Sequence, residues 1–258
     1  MHRTERIVTE VLVDQSYWDQ GYQDLQPTMA PSTDQVRQWL EASVPTANGD
    51  KHCLEVGCYP GHYLAVLGGM GYVVHGIDLT PAIDRMAPAF AAQGMQVGEF
   101  RRLDFLKDPI GRRYDVVCSF GFIEHFPNWQ DVLRKHAELV EPGGLIVIET
   151  PNFRGFVQQL LHRSLDATNL RRHHIPAMAP RKWAKVLQAE GFEVLTHGYL
   201  GKFQFWTDSP PFNYLQQKLY NRVVALTPRL ERVRPGGASL SPYCVLIGRR
   251  PVRSINKD

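Results

Sequence analysis

The chain has 258 residues, enough for one large domain or two small ones, and 43% hydrophobic with 21% charged residues is ordinary for a globular protein. Its formal net charge of +3 is too small to indicate a nucleic-acid partner by itself. The first residues include acids and no unbroken apolar stretch, and no run is long enough to span a bilayer. We therefore expect neither a signal peptide nor a membrane span.

A helix is predicted before the first strand. Ser32 and Gln35 form a capping-box pattern, and Val36, Leu40 and Val44 recur at helical spacing. Short segments rich in Val, Ile and Cys follow at helix-length intervals, and they predict strands at 52–57, 72–78, 95–100, 114–120 and 144–150. This alternation is typical of a parallel sheet.

The segments between these strands carry helix signals. One helix is expected to begin near Pro60, a second after Thr80 with Pro81 at its first position, and a third after Asn128. Pro88 is expected to bend or end the second helix. The third helix has one face formed by Trp129, Val132, Leu133 and His136.

The last third of the chain continues the alternation. A helix at 180–191 starts at a proline and stops at a glycine, and it precedes a sixth strand at 192–201. A helix at 211–230 and a final strand at 241–250 follow. Seven strands with helices between them predict a doubly wound α/β fold.

The helix at 211–230 has an apolar face that needs a partner. Leu215, Leu219 and Val223 recur at spacing four, whereas Lys218 and Arg222 can remain in water. We expect this face to be buried, either as a lid on the substrate side of the sheet or as a dimer contact.

The four cysteines show no C-x-x-C pair, which argues against a metal or redox motif. They stand at positions 53, 58, 118 and 244, and three of them lie inside apolar, strand-like runs. This usage predicts buried, reduced thiols and a cytoplasmic location.

The stretch "LEVGCYPG", residues 54–61, joins the first strand to a helix through a glycine-bearing turn. It offers only Gly57 and Gly61, so it lacks the G-x-G-x-x-G pattern of dinucleotide-binding proteins. Glu55 lies two residues before the first glycine, where a carboxylate would repel a pyrophosphate. A ligand that carries an ammonium and a sulfonium, without a phosphate, suits this position better.

Two further carboxylates follow the next strands. Asp78, at the end of the second strand, can accept hydrogen bonds from both hydroxyls of a ribose, and Asp104, after the third, can accept from an adenine amino group. Phe105 would offer its backbone N–H to the adenine ring and its side chain to the pocket. Each acid also has a purely structural alternative. Glu55 would stabilise its turn, Asp78 would cap the helix near Thr80, and Asp104 would be a solvated acid in a turn.

At this point the chain resembles the class I S-adenosylmethionine-dependent methyltransferases, from about residue 30 to about 200. "LEVGCYPG", "GIDLT", "LDF", "YDVVCSFGFIEHF" and "EPGGLIVIETPN" are similar to successive motifs of that family. The "EHF" and "ETPN" segments look most like bacterial small-molecule O- and N-methyltransferases. The resemblance implies S-adenosylmethionine as cofactor and a seven-stranded, mostly parallel sheet with an antiparallel last strand. It also implies a cofactor site lined by Glu55, Gly57, Gly61, Asp78, Leu79, Asp104, Phe105 and Phe120.

The resemblance also suggests how the chain is organised. We predict a single domain over residues 1–258, with an N-terminal helical segment at 1–50 and a cofactor-binding half at 51–150. The remaining half, 151–258, lies on the substrate side and contains a helical insertion at 206–230. The acceptor pocket is expected to be shaped by 17–22, 152–178 and 206–230.

Tyr59 departs from the family pattern because it replaces the usual middle glycine of the turn, beside the cofactor. A positive φ there would cost a tyrosine about 1–2 kcal/mol relative to glycine, which is tolerable. A degenerate relative that binds the cofactor weakly, or serves as an interaction domain, is the corresponding alternative.

His125 follows the fourth strand and is the predicted catalytic residue, with a purely structural packing role as the alternative. Methyl transfer depends mainly on alignment of the reacting atoms, but an oxygen nucleophile can also need a base, and His125 would supply one. His173 and His174 are the other candidates for this role, against a reading in which they only face solvent. No metal is predicted.

The predicted function is methyl transfer to an oxygen or nitrogen of a small-molecule acceptor. A nucleic-acid methyltransferase is an alternative, but "SFGF" stands where the amino-directed enzymes carry their Pro-Pro motif, and "SPPF" at 209–212 follows the wrong strand. A nicotinamide dehydrogenase is disfavoured by Glu55 and the missing glycine. We expect no nucleic-acid partner and no stable membrane association.

Overall fold

A sheet of seven strands organises the molecule. The computed structural model describes residues 12–207, 212–233 and 236–252. The strands are β1 His52–Val56, β2 Val73–Asp78, β3 Val97–Arg102, β4 Tyr114–Phe120, β5 Val140–Pro151, β6 Glu193–Leu200 and β7 Tyr243–Arg249. Their order is β3-β2-β1-β4-β5-β7-β6, and β7 runs antiparallel to both of its neighbours. The predicted doubly wound sheet with an antiparallel last strand is confirmed.

The central strands are buried because their side chains are apolar on both faces. In β1, the four residues from Cys53 to Val56 are all buried, as are most residues of β4 and β5. At the edge of the sheet, β3 starts two residues later than predicted and is mostly half-buried. The burial pattern of β3 therefore says little about the register of this strand. The register is set by pairing of Val97 with Val74 of β2.

Helices cover both faces of the sheet. They are α1 Gln15–Gly21, α2 Gln35–Ser43, α3 His62–Gly69, α4 Met86–Ala92, α5 Trp129–Glu138, α6 Phe156–Leu165, α7 Ala167–Arg171, α8 Pro180–Ala189 and α9 Tyr214–Val233. Leu40, Leu64 and Phe90 of α2, α3 and α4 share one core cluster. Leu133 of α5 and Trp183 of α8 belong to a second cluster. The helices α6 and α7 were not predicted, and α1 lies within the predicted N-terminal helical segment at 1–50.

The start of α2 differs from the capping-box prediction. The helix begins at Gln35, and the side chain of Asp34 accepts hydrogen bonds from the backbone N–H groups of Val36 and Arg37. Ser32 is therefore not the cap. A carboxylate one residue before the helix reaches these free N–H groups more directly than a serine three residues before it.

Other predicted helix features are present. Pro81 opens a 3₁₀ turn capped by the Thr80 hydroxyl, and this turn changes into α4 at Met86, just before Pro88. Pro88 lies in the first turn of α4, where a missing N–H leaves no helical bond unmade, and the helix continues to Ala92 instead of ending at Pro88, which was one of the predicted outcomes. The predicted face of α5 is buried. The four cysteines are buried and free.

The helix predicted at 211–230 forms, as α9, but its apolar face is mostly exposed. Leu215 is 74% exposed and Leu219 37%, whereas Val223 is 8% exposed. The helix contacts α6, where Gln216 donates to the Ser164 carbonyl, instead of lying on the sheet. The predicted burial of Leu215 and Leu219 is therefore wrong for this single chain, and the homodimer stays a prediction. Across the described ranges, every helix is too short or too polar to cross a membrane.

Candidate active site

Two adjoining cavities open at the carboxyl ends of the central strands. The larger, of about 550 Å³, lies beside the glycine turn after β1. The smaller, of about 340 Å³, lies beyond the ends of β4 and β5. Their shared wall is formed by Trp18, Tyr63, Phe120, Gly121 and His125. A group bound in one cavity can therefore meet a group bound in the other beside Phe120 and His125.

The residues predicted to bind the cofactor come together on the wall of the larger cavity. These residues are Glu55, Gly57, Tyr59, Gly61, Asp78, Leu79, Asp104, Phe105 and Phe120, and His125 lies beside them. Trp18 and Tyr22, which belong to the 17–22 segment expected to shape the acceptor pocket, also line this larger cavity. No local pattern connects them with a turn that is far away in the chain.

The glycine turn has the conformation that glycine permits. Gly57 and Gly61 have φ of 67° and 76°, and a Cβ at Gly57 would overlap the Phe122 ring. Tyr59 is not in the left-handed region, since no non-glycine residue of the described ranges has a positive φ. The strain considered for Tyr59 is therefore absent.

Tyr59 has a structural role in this turn. Its side chain is buried and its hydroxyl donates to the Leu25 carbonyl at 2.6 Å. Its backbone N–H donates to Asp78 Oδ2 at 3.0 Å, which connects the turn to the end of β2. Tyr59 thus ties the N-terminal segment to the wall of the larger cavity.

Glu55 is buried and Asp78 is half-buried, and neither has a cation beside it among the described residues. Burial, together with the nearby Asp78 carboxyl, raises the pKa of Glu55 well above its usual range. Glu55 Oε2 has no hydrogen-bond partner among the described residues. Burial also raises the pKa of Asp78, although its carboxyl accepts from the backbone N–H groups of Tyr59 and Thr80. A cationic ligand would lower the pKa of both acids and so favour their charged forms.

Asp104, unlike Glu55 and Asp78, is paired with a lysine. Its Oδ1 accepts from the Leu106 N–H, and its Oδ2 lies 2.7 Å from Lys107 Nζ. Partial burial acts to raise the pKa of Asp104, but the bonds from Lys107 and the backbone outweigh it, so the pKa lies below its usual range. The turn-acid reading of Asp104 is thus correct locally, while the residue still lines the cavity.

The smaller cavity contains two histidines that are neutral. His125 Nδ1 lies 3.0 Å from the Arg172 carbonyl and His173 Nδ1 2.7 Å from the Asn169 carbonyl. Burial lowers the pKa of His125 to about 4 and that of His173 to about 3. Because a carbonyl only accepts, each Nδ1 carries the proton and each Nε2 is left with a lone pair. His174 lines neither cavity.

Two buried acids also line the smaller cavity, and sequence reasoning did not identify them. Glu124 is fully buried, neither carboxyl oxygen has a partner among the described residues, and burial raises its pKa to about 8. Burial and the neighbouring Glu124 raise the pKa of Glu149 as well. The available signal was an acid inside an apolar run, in "FGFIEHF" and in "LIVIETP".

The walls of the smaller cavity are largely aromatic and come from distant segments. Tyr17 and Trp18 come from 17–22, and Phe153 and His173 from 152–178, as expected. Of the third expected segment, only Trp206 contributes among the described residues, together with Tyr243 of β7. The helix α9 does not line the cavity.

Comparison with known proteins identifies the family. The family model described as "Methyltransferase domain" matches residues 30–197, and the chain belongs to this family. It is a class I S-adenosylmethionine-dependent methyltransferase, as the motifs predicted.

Individual relatives agree with this assignment. The chain is 32% identical, over 117 residues, to a ubiquinone biosynthesis O-methyltransferase of Leptothrix cholodnii. That match covers 44% of this chain and 49% of the relative, so it spans about half the relative's length.

Solved structures share the fold. One is geranyl diphosphate C-methyltransferase from Streptomyces coelicolor, with a TM-score of 0.56 at 14% identity, covering 83% of this chain and 76% of that one. Another is a SAM-dependent methyltransferase from Archaeoglobus fulgidus, with a TM-score of 0.54 at 17% identity and coverages of 91% and 99%.

The larger cavity fits S-adenosylmethionine, the cofactor of this class. The unpartnered oxygen of Glu55 suits a ligand with an ammonium and a sulfonium, and the Asp78 carboxylate has lone pairs left for ribose hydroxyls. The same acids would repel a pyrophosphate. The nicotinamide alternative therefore fits this cavity poorly.

Proposed function

We propose that this protein transfers the methyl group of S-adenosylmethionine to an oxygen or nitrogen of a small-molecule acceptor bound in the smaller cavity. The observation that carries the proposal is the shared wall at Phe120, Gly121 and His125, where the two cavities meet. Such a meeting point can align a nucleophile with the methyl group, which is the main requirement of the reaction.

Each predicted cofactor residue has a role in this proposal. Glu55 faces the charged end of the cofactor and Asp78 the ribose, while Gly57 and Gly61 keep the turn close to the ligand. Asp104, Phe105 and Leu79 border the adenine, and Phe120 separates the two ligands. Tyr59 supports the turn from behind.

His125 contacts the acceptor in this proposal. Its Nδ1 is held by the Arg172 carbonyl, so its Nε2 can accept a hydrogen bond from the nucleophile. A pKa of about 4 makes His125 a weak proton acceptor at neutral pH but a well-oriented hydrogen-bond acceptor. His173 lies against it, with ring centroids 4.6 Å apart.

A small acceptor fits the cavity better than a nucleic acid. The smaller cavity has a volume of about 340 Å³ and is walled by Tyr17, Trp18, Phe153, Trp206 and Tyr243. The relatives named for ubiquinone biosynthesis support a small-molecule acceptor without identifying it for this chain.

Calorimetry in buffers of different ionisation enthalpy tests the proposal. S-adenosylmethionine should bind, and its binding should release protons, because a cation lowers the raised pKa values of Glu55 and Asp78. Affinity should therefore rise with pH until both acids are already ionised in the free protein. Absence of binding would refute the proposal, and tighter binding of NAD would favour a dehydrogenase.

A further inference from the structure

Above a pH of about 8, where Glu124 is ionised, the smaller cavity contains a cluster of hydrogen-bond acceptors that lacks a donor. One atom from each of Glu124, His125 and His173 lies within 4.8 Å of the other two. Both histidines use Nδ1–H on backbone carbonyls, so each offers only the lone pair of Nε2. The ionised Glu124 carboxylate is also only an acceptor. The cluster therefore needs a ligand that donates several hydrogen bonds.

We propose that this cluster binds an amino group of the acceptor, in its ammonium form, and that Glu124 takes the proton that frees this nitrogen for methylation. The inference rests on the proposed function, because it places the acceptor in the smaller cavity. Three acceptors match the three donors of a primary ammonium, whereas a single hydroxyl would leave two of them without a partner.

The spacing of the cluster admits an ammonium. Acceptors about 2.9 Å from a tetrahedral nitrogen lie about 4.7 Å apart, and ligands about 2.1 Å from a tetrahedral zinc ion lie about 3.4 Å apart. The distance from His125 Nε2 to Glu124 Oε1 is 3.9 Å, between these two values, and the three ligand atoms lie within 4.8 Å of one another. Spacing is thus compatible with both ligands, and the choice of an ammonium rests on the buried, unpartnered Glu124 carboxyl and on the aromatic walls of the cavity.

The surroundings of the cluster also favour a cation. Glu149 adds a second buried carboxyl to the same cavity, and the aromatic walls at Trp18, Phe153 and Trp206 offer ring faces. Arg172 also lines this cavity, and its guanidinium lies over the Tyr17 ring at 4.1 Å.

The proposed reaction moves one proton to Glu124 and one methyl group to the nitrogen. The bound ammonium gives one proton to the Glu124 carboxylate, which becomes a carboxylic acid, and the nitrogen regains its lone pair. The nitrogen then turns so that this lone pair faces the methyl group, and the pair forms the new N–C bond as the C–S bond breaks and its electrons stay on sulfur. The methylated nitrogen leaves as an ammonium, and Glu124 later releases its proton to water.

Matched amines and alcohols test the inference. The probes are benzylamine with benzyl alcohol, 2-phenylethylamine with 2-phenylethanol, and tryptamine with tryptophol, titrated into protein saturated with S-adenosylhomocysteine at a pH of about 8.5, where the amines remain charged. We expect at least one amine to bind about 10- to 100-fold more tightly than its alcohol. Glu124→Gln should remove this preference without changing affinity for S-adenosylhomocysteine.

Glu149→Gln is the matched control, because it removes a buried carboxyl from the same cavity but not from the cluster. It should keep most of the preference, and thermal unfolding of both variants should remain cooperative. The inference is overturned if no pair shows a preference for the amine, if Glu124→Gln retains it, or if binding requires added Mg²⁺ or Zn²⁺. Failure of S-adenosylhomocysteine to bind would instead refute the proposed function, and methylation of the alcohols alone would refute only this inference.

Discussion

The two cavities that meet at Phe120 and His125 are built in different ways. The larger one is formed mainly by short segments at the ends of β1, β2 and β3, and its acids follow those strands directly. The smaller one is assembled from α1, the ends of β4 and β5, α7 and Trp206, which are far apart in the chain. A ligand site made by consecutive strand ends can be inferred from motifs, whereas a site made by distant segments needs the folded structure.

Replacement of Glu124, the proposed proton acceptor in the smaller cavity, should have the largest effect on the reaction rate. Glu124→Gln should lower the rate of amine methylation about 10²- to 10⁴-fold, because the proton then has no positioned acceptor. In the wild type, kcat/KM should fall as pH drops through the Glu124 pKa of about 8, since only the carboxylate accepts a proton. The measurement is a pH profile of methyl transfer to the best amine probe.

His125→Ala is the companion variant for that profile. It should reduce the rate through poorer alignment of the nucleophile while keeping the inflection near the Glu124 pKa. If the inflection instead lies near 4, the pKa of His125, and disappears in His125→Ala, then His125 is the base, as the sequence predicted. Cofactor affinity and thermal unfolding, measured alongside, separate loss of chemistry from loss of fold.

Replacing Asp78 or Asp104 of the larger cavity should weaken cofactor binding by different amounts. Asp78→Ala should weaken S-adenosylmethionine binding by about 1.5–3 kcal/mol, because no side chain is bonded to the Asp78 carboxyl in the hydrogen bonds of the described residues and its hydrogen bonds to the ribose would be charge-assisted. Asp104→Ala is the matched control, and we expect a smaller loss of about 0.5–1.5 kcal/mol, because Asp104 is already paired with Lys107. Calorimetric titration gives both values, and equal losses would contradict the proposed division of roles.

The smallest expected effect concerns the contact that joins the N-terminal segment to the larger cavity. Tyr59→Phe should lower the free energy of unfolding by about 1 kcal/mol, because it removes the 2.6 Å hydrogen bond to the Leu25 carbonyl. Tyr63→Phe is its control, since the Tyr63 hydroxyl lies a longer 3.4 Å from Asp34 Oδ2. Denaturant unfolding of both variants gives their free energies of unfolding. Equal losses in the two variants would disprove this role for Tyr59.

Much of the fold was predictable because apolar periodicity and end signals are local. The buried face of α5 and the burial of β1 follow from residue order alone. The α9 prediction failed for Leu215 because an apolar stripe shows only that burial would be favourable, not whether a partner surface is present. In the site, the strand-end acids Glu55 and Asp78 were visible in the motifs.

Glu124 was not identified as a site residue, for a different reason. Its carboxyl oxygens have no hydrogen-bond partners among the described residues, and its neighbour His173 is close in space but 49 residues away in the sequence. Hydrogen-bond satisfaction and tautomer choice depend on three-dimensional neighbours, so no pattern of residue types reveals them.

The short helix α1 has a consequence for how the two ligands influence each other. None of its residues is buried, and it is held by ring contacts: Trp18 lies 5.0 Å from His125, Tyr22 lies 5.1 Å from Tyr59, and Arg172 lies over Tyr17. Because Trp18 lines both cavities, ordering of α1 by one ligand prepares part of the wall for the other. Thermodynamic linkage then requires the effect to be reciprocal, so cofactor and acceptor should raise each other's affinity by the same factor.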